Sequence, residues 1–275
     1  MAGSNIEDMG DAPVTRVRSL FEPRSDGLGG IPDPLPWLKA QRSVPGFSKK
    51  MAASFNKMDG PLDSFLRKIN YLRRIVPCGT EIFKQNDCGD HIYLLTDGWV
   101  GLQSWGHDGE EHILDFLIGY GFFGFPCKKT GEYCYSAIAI TAVEVYRFEV
   151  AQLKSMITGE PSLSVAIQSD IFDQLMRAQS RQSAMACKHG IDLVASALWD
   201  LADRVLVTRK RANGSTRLQL PINQSMFGKY VGVSNVYICK MLTMLNAAGI
   251  KVESTNGGIV IADFNVLREF VQRSN

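Results

Sequence analysis

Ile222-Asn-Gln-Ser-Met-Phe-Gly-Lys-Tyr-Val-Gly-Val-Ser-Asn-Val-Tyr-Ile-Cys-Lys-Met-Leu-Thr-Met-Leu-Asn-Ala-Ala-Gly-Ile250 is the stretch from which the rest of the chain can be read. Asn223 is placed to cap a short helix over 223–231, because an Asx side chain accepts from the free amides of a first turn. Gly232-Val233-Ser234 makes a tight turn. Ser234 caps a further helix over 235–247, whose Ile238, Met241, Leu242 and Leu245 recur at helical spacing and form one apolar face. Gly249 stops that helix. A strand over 218–222 precedes the unit, and segments 250–253 and 259–262, joined through Asn256-Gly257-Gly258, make a hairpin after it. Helix, turn, helix and wing follow in the order of a winged helix-turn-helix.

The charge of this region agrees. Between Arg209 and Lys251 lie seven basic residues (Arg209, Lys210, Arg211, Arg217, Lys229, Lys240, Lys251) and no Asp or Glu. The rest of the 275 residues carries 23 basic and 28 acidic groups, so a formal net charge of +2 hides one region suited to an anionic partner. A solvated basic face is the ordinary outcome of a charge run. A complete lack of acids over that length favours nucleic acid.

Upstream, 161–187 reads as one long helix that starts at Pro161. Leu163, Ile167, Ile171, Leu175, Ala178, Gln182 and Met185 recur every three or four residues along it. Such a stripe covers either its own domain or a second copy, and the length of the helix favours a two-chain seam. His189-Gly190 then interrupts, and 191–207 forms another helix with Leu193, Val194, Ala197, Leu198, Leu201 and Val205 on one face.

Residues 76–148 have a different pattern. Short runs at 81–83, 91–95, 99–104, 112–117, 136–140 and 144–148 are rich in β-branched and aromatic residues. Asp97-Gly98 and Asp108-Gly109 serve as turns between them. Closely spaced short strands predict a small antiparallel barrel or roll. The spacing of Leu62, Phe65, Leu66 and Ile69 predicts a helix over 60–75. Residues 1–60, rich in Pro, Gly, Ser and Asp, read as an extension. The expected divisions are thus 1–60, a β-roll over 61–150, a long helix over 151–189, and the basic winged unit over 190–275.

Composition removes other classes. The chain is 45% apolar and lacks any apolar run of membrane-spanning length, so no membrane role is expected. Six cysteines without a C-x-x-C pair, and an N-terminus without an apolar signal segment, point to the cytoplasm. G-x-S-x-G and Walker A patterns are absent, and four histidines without H-x-H offer little for a cupin-like metal site, so no enzyme is expected.

Two stretches together resemble the Crp/Fnr family of bacterial transcription regulators. One is the stretch quoted first. The other is Asp87-Cys-Gly-Asp-His-Ile-Tyr-Leu-Leu-Thr-Asp-Gly98 with Asp108-Gly-Glu-Glu-His-Ile-Leu-Asp-Phe-Leu-Ile-Gly-Tyr-Gly-Phe-Phe-Gly124. The resemblance covers about 62–265. It implies an α+β chain with an N-terminal cyclic-nucleotide-binding-like antiparallel β-roll, a long dimerisation helix and a C-terminal winged helix-turn-helix. It further implies a homodimer joined through Leu163, Ile167, Ile171, Leu175, Ala178 and Gln182, a palindromic double-stranded DNA site, and RNA polymerase as a further partner. The base-reading positions of the family fall here on Asn235, Val236, Cys239 and Lys240, which lack the family's Glu and Arg. Asn235 can pair with adenine, Val236 can touch a thymine methyl, and Lys240 can reach guanine or phosphate. Asn223, Ser225, Lys229, Ser234, Gly257 and Gly258 match phosphate-contacting positions, although each also suits an ordinary cap, helix face or turn.

The resemblance also predicts what the β-roll lacks. Members that hold a cyclic nucleotide use Gly-Glu-Leu and Arg-Ser-Ala elements. The matching residues here are Gly124-Phe125-Pro126 and Tyr135-Ser136-Ala137, and no Arg occurs between Arg74 and Arg147. A buried phosphate without a cation is costly, which argues against cyclic AMP. The effector position then holds Phe123, Phe125, Tyr135 and Ser136, and the effector is an unidentified small molecule or redox signal. Residues 1–77 contain no Cys, so the N-terminal iron–sulfur arm of some members is not expected. Cys78, Cys88, Cys127 and Cys134 read as ordinary thiols rather than cluster ligands, and His91, His107 and His112 mark no haem, so no cofactor or metal is expected. Cys239, one residue before Lys240, reads first as a small residue fitted to the groove; the alternative is that its oxidation weakens phosphate binding. The alternative function is a ligand-responsive adaptor whose basic domain binds protein or RNA.

Overall fold

The computed structural model describes residues 71–106, 109–159, 161–208 and 216–273. Expectations for 1–60, for Leu62 to Ile69, for His107 and for Arg209, Lys210 and Arg211 lie outside the described residues.

The first half is a roll of two four-stranded antiparallel sheets. Strands β1 (Leu72–Val76), β8 (Val143–Glu149), β3 (His91–Asp97) and β6 (Gly121–Phe123) make one sheet, ordered β1-β8-β3-β6. Strands β2 (Glu81–Phe83), β7 (Ser136–Ala139), β4 (Trp99–Trp105) and β5 (Glu111–Ile118) make the other, ordered β2-β7-β4-β5. Side chains from both sheets meet between them, among them Leu95, Val100, Phe123, Ala137 and Val145. Every strand expected from the sequence is present. Two more appear: β6, only three residues long and begun by a glycine, and β1.

β1 corrects only the end of the helix expected over 60–75, whose residues before 71 lie outside the described residues. Leu72 to Val76 pair antiparallel with Arg147 to Val143, and Arg73 forms an ion pair with Glu144. Leu72 and Ile75 are exposed on this edge strand.

Helix α1 (Val150–Gly159) leads into helix α2 (Pro161–Cys187), the long helix expected from the sequence. The structure corrects part of the stripe on α2. Leu163 and Ile167 are 0% and 3% exposed, packed with Ile92, Phe122, Tyr146 and Phe148 of the roll's own sheet. They belong to the core of one chain and are closed to a partner. Ile171, Leu175, Ala178 and Gln182 are exposed, joined by Val165, Phe172 and Met176.

After Gly190, helix α3 (Gly190–Thr208) begins the second half. Strand β9 (Leu218–Leu220), helices α4 (Gln224–Val231) and α5 (Asn235–Ala247), strands β10 (Val252–Thr255) and β11 (Gly258–Ile261), and helix α6 (Phe264–Arg273) follow. The small sheet is ordered β10-β11-β9. Its core holds Leu198, Leu201, Phe227, Ile238, Leu245, Ile259 and Leu267, and is continuous with Trp99, Ile113 and Phe116 of the roll. No described helix is long and apolar enough to cross a membrane.

Candidate nucleic-acid interface

Capping fixes where each helix of the reading unit starts. The Asn223 side chain accepts from the Met226 N–H at 2.8 Å, and the Ser234 hydroxyl accepts from the Tyr237 N–H at 3.2 Å. Two of the six residues predicted to meet phosphate are therefore caps, and their backbones sit at helix N-termini, where the dipole favours an anion. Gly228 lets α4 approach the turn closely, since a Cβ there would lie 2.9 Å from the Val233 carbonyl oxygen.

Burial divides α5 into two faces. Ile238, Met241, Leu242 and Leu245 are buried against the core. Asn235, Val236, Cys239, Lys240 and Thr243 are exposed on the opposite side, with Val236 80% exposed. The four residues predicted to read bases therefore share one outward face. Ser225 is exposed on α4.

Two predicted contacts have other roles. Gly258 is buried, and a Cβ there would lie 2.0 Å from the Leu220 carbonyl oxygen. It is needed so that the wing can close on β9, and it offers no exposed surface for phosphate; Gly257, beside it, is exposed. Lys229 forms an ion pair with Glu111 of β5. The structure thus holds this lysine against the roll rather than free for DNA.

The Lys229 pair belongs to a larger junction that the sequence did not reveal. Arg204 of α3 donates through Nη1 to Asp115 Oδ1 at 2.9 Å and to the Phe116 carbonyl at 2.8 Å. Its Nη2 donates to Tyr230 Oη at 2.7 Å and pairs with Asp200. The Tyr230 hydroxyl donates onward to Asp200 at 2.8 Å. Arg181 of α2 approaches Asp115 at 3.3 Å and lies 4.7 Å from the Tyr230 ring centre. Burial opposes the Arg204 charge, but Asp115, Tyr230 and Asp200 outweigh it and hold the guanidinium protonated. Burial, the largest cause, raises the Tyr230 hydroxyl and keeps it neutral, able to donate.

The four residues expected at the effector position are not gathered round one space. Phe123 and Tyr135 belong to a set of aromatic rings with Phe83, Tyr93 and Tyr133; Phe83 stacks on Tyr133 with centres 4.0 Å apart and on Tyr93 at 5.3 Å. The Tyr135 hydroxyl accepts from the Gly124 N–H at 3.0 Å. Phe125 packs against the other cluster, the one that contains Ile92 and Phe148. Ser136 is buried and accepts from the Gln85 N–H at 2.9 Å. These are packing and turn-closing roles.

Comparison with known proteins joins the two halves. Residues 73–178 match the cyclic nucleotide-binding domain, and residues 194–270 match the Crp-like helix-turn-helix domain. The chain belongs to the Crp/Fnr family of transcription regulators. Among its relatives is the nitrogen fixation regulation protein FixK of Azorhizobium caulinodans, 26% identical over 190 residues, which are 69% of this chain and 75% of that protein. The transcriptional activator protein FnrL of Cereibacter sphaeroides is 22% identical over 205 residues, 74% of this chain and 82% of that one. The solved structure of FixK2 from Bradyrhizobium japonicum has the same fold, with a TM-score of 0.61 at 17% identity over 73% of this chain and 97% of that chain. This Crp/Fnr protein is therefore a DNA-binding transcription regulator. Within the matched cyclic nucleotide-binding domain no arginine occurs between Arg74 and Arg147, and Tyr135 packs among aromatic rings.

Proposed function

We propose that the chain acts as a homodimer that reads a palindromic DNA site through the outward face of α5 and carries no enzymatic activity. The observation that supports this reading most is that Asn235, Val236, Cys239 and Lys240 share one exposed face inside an acid-free, basic region. Asn235 would pair with adenine and Val236 would contact a thymine methyl. Ser225, Gly257 and the amides above Asn223 and Ser234 would hold phosphates. Ile171, Phe172, Leu175 and Met176, all exposed on α2, supply the face for a second copy. Two copies would present their α5 helices to successive major grooves about 34 Å apart.

The roll would serve as the sensor and take no cyclic nucleotide, because aromatic rings fill it and no arginine stands at the phosphate position. RNA polymerase is the further partner proposed, and the bacterial cytoplasm the place of action. Selection of bound duplexes from a random pool, with reduced protein, tests this. Enrichment of a two-fold symmetric sequence supports it. Equal retention of all duplexes and of single-stranded RNA would favour the adaptor reading instead.

A further inference from the structure

Helix α2 ends at Cys187 and α3 begins at Gly190, so Lys188 and His189 form the joint between the two halves. Three contacts hold this joint. Before it, the Met185 methyl rests on the turn that leads into α5, where a Cβ on Gly232 would lie 2.8 Å from Met185 Cε. Within it, Lys188 Nζ donates to Ser196 Oγ of α3 at 2.9 Å. After it, the Gly190 N–H donates to Tyr237 Oη of α5 at 3.1 Å, a bond between residues 47 apart in sequence.

The last contact reaches the helix that carries the outward reading face. The first amides of a helix have no acceptor within it, and Gly190 opens α3. The Tyr237 hydroxyl supplies that acceptor. Its ring is partly buried against the core of the second half. Met241, one turn along α5, is buried beside the same glycine: a Cβ on Gly190 would lie 3.9 Å from the Met241 sulfur. Tyr237 and Met241 thus turn one side of α5 to the start of α3, while Asn235, Val236, Cys239 and Lys240 stay exposed. Without the hydroxyl the first turn of α3 frays more readily, and each residue released lengthens the joint.

We propose that Tyr237 is a positioning residue for DNA reading, whose hydroxyl locks α5 to the start of α3 and thereby fixes the half-site spacing that a dimer accepts. This rests on the dimeric, palindrome-reading function proposed above. Two copies of α5 must enter their grooves at one separation, and slack in the joint between α2 and α3 is slack in that separation. Tyr237 acts through Gly190 and reads no base, so its loss is felt in the spacing and not in the half-site sequence.

Tyr237→Phe removes the hydroxyl and keeps the packed ring. The full chain and this variant are compared in two measurements. Hydrogen exchange, resolved to single amides, is read without DNA: the Gly190 N–H should exchange several-fold faster in the variant, with the buried stretch of α5 unchanged. Selection is then run on duplexes in which two inverted copies of the parent's preferred half-site are separated by spacers of varied length. The parent should favour one spacing. The variant should keep the same half-site bases, while its preference for that spacing over the neighbouring ones falls several-fold. Equal exchange at Gly190 in both proteins, or the parent's spacing preference kept in full by the variant, would overturn the proposal. So would a loss of affinity that is the same at every spacing, which would make Tyr237 a direct DNA contact. A parent that favours no inverted pair, while Gly190 exchanges faster in the variant, would overturn the dimeric reading and the role in spacing with it.

Discussion

Arg204 and Asp115 are bound to one another 89 residues apart in sequence, Nη1 to Oδ1 at 2.9 Å, across the line where the reading unit meets the roll. Phe116 and Tyr230 pack beside them with ring centres 5.2 Å apart. The pair is nearly buried, so neither charge has water to fall back on. Arg204→Met should cost about 3–5 kcal/mol of folding stability, because it leaves buried carboxylates without their main partner. Asp115→Asn added to Arg204→Met should recover part of that loss. Denaturant melts check both; a loss no larger for Arg204→Met than for an exposed substitution such as Arg273→Met would refute the junction's role.

Lys229 cannot hold Glu111 and a phosphate with the same ammonium group. Glu111→Gln should therefore tighten DNA binding by about fivefold, near 1 kcal/mol. In the Glu111→Gln background, where the lysine is released, Lys229→Ala should weaken binding to all sequences alike and lower the salt slope by about one. Titrations over a range of salt measure both. Weaker binding by Glu111→Gln would mean that the ion pair persists in the complex.

Asp170 ties α2 to the roll by accepting from the Phe122 N–H at 2.7 Å and from Gln174 at 3.0 Å. Burial raises its pKa to about 6, against the lowering effect of those bonds and of Arg177. An acid raised on folding binds its proton more tightly in the native state, so its charge opposes folding above the unfolded pKa and the penalty grows until the folded pKa is passed. Asp170→Asn should accordingly gain stability relative to the parent as pH rises from about 4 to about 7, by on the order of 2–3 kcal/mol, and no further above that. Thermal melts at several pH values read this. A difference independent of pH would contradict it.

The two ends of the α2 stripe should respond differently. Phe172→Glu, on the 59% exposed ring, should shift the protein from dimer to monomer in sedimentation velocity. Leu163→Ala, at a fully buried site, should cost about 2–5 kcal/mol of stability and leave the association state unchanged. Dissociation by Leu163→Ala at a temperature where it stays folded would place the seam elsewhere.

What the sequence made legible, and what it did not, follows from the range of each interaction. Asn223 and Ser234 were readable as caps because a cap acts within three residues. The buried face of α5 was readable because its period is that of a helix. Leu163 and Ile167 were misplaced because periodicity reveals a stripe and not the surface that covers it. β1 was hidden because Leu72 and Ile75 are exposed on an edge, so neither alternation nor burial marks it. The Arg204 junction had no local signal at all: one arginine on a helix meets one aspartate on a strand only after both halves have folded. Lys229 shows the same limit, since its family position suggested phosphate while tertiary contact gave it Glu111.

The central claim is that the outward face of α5 reads bases. Its most direct test compares the sequences selected from a random pool by the parent chain and by Asn235→Ala, a change at an exposed first-turn position that removes no buried contact. The expected result is a palindrome for the parent, and for the variant the same palindrome with preference relaxed at one base pair in each half-site, worth about 1–3 kcal/mol there. An identical consensus from both proteins, or no consensus from a parent that is folded and dimeric, would contradict the claim.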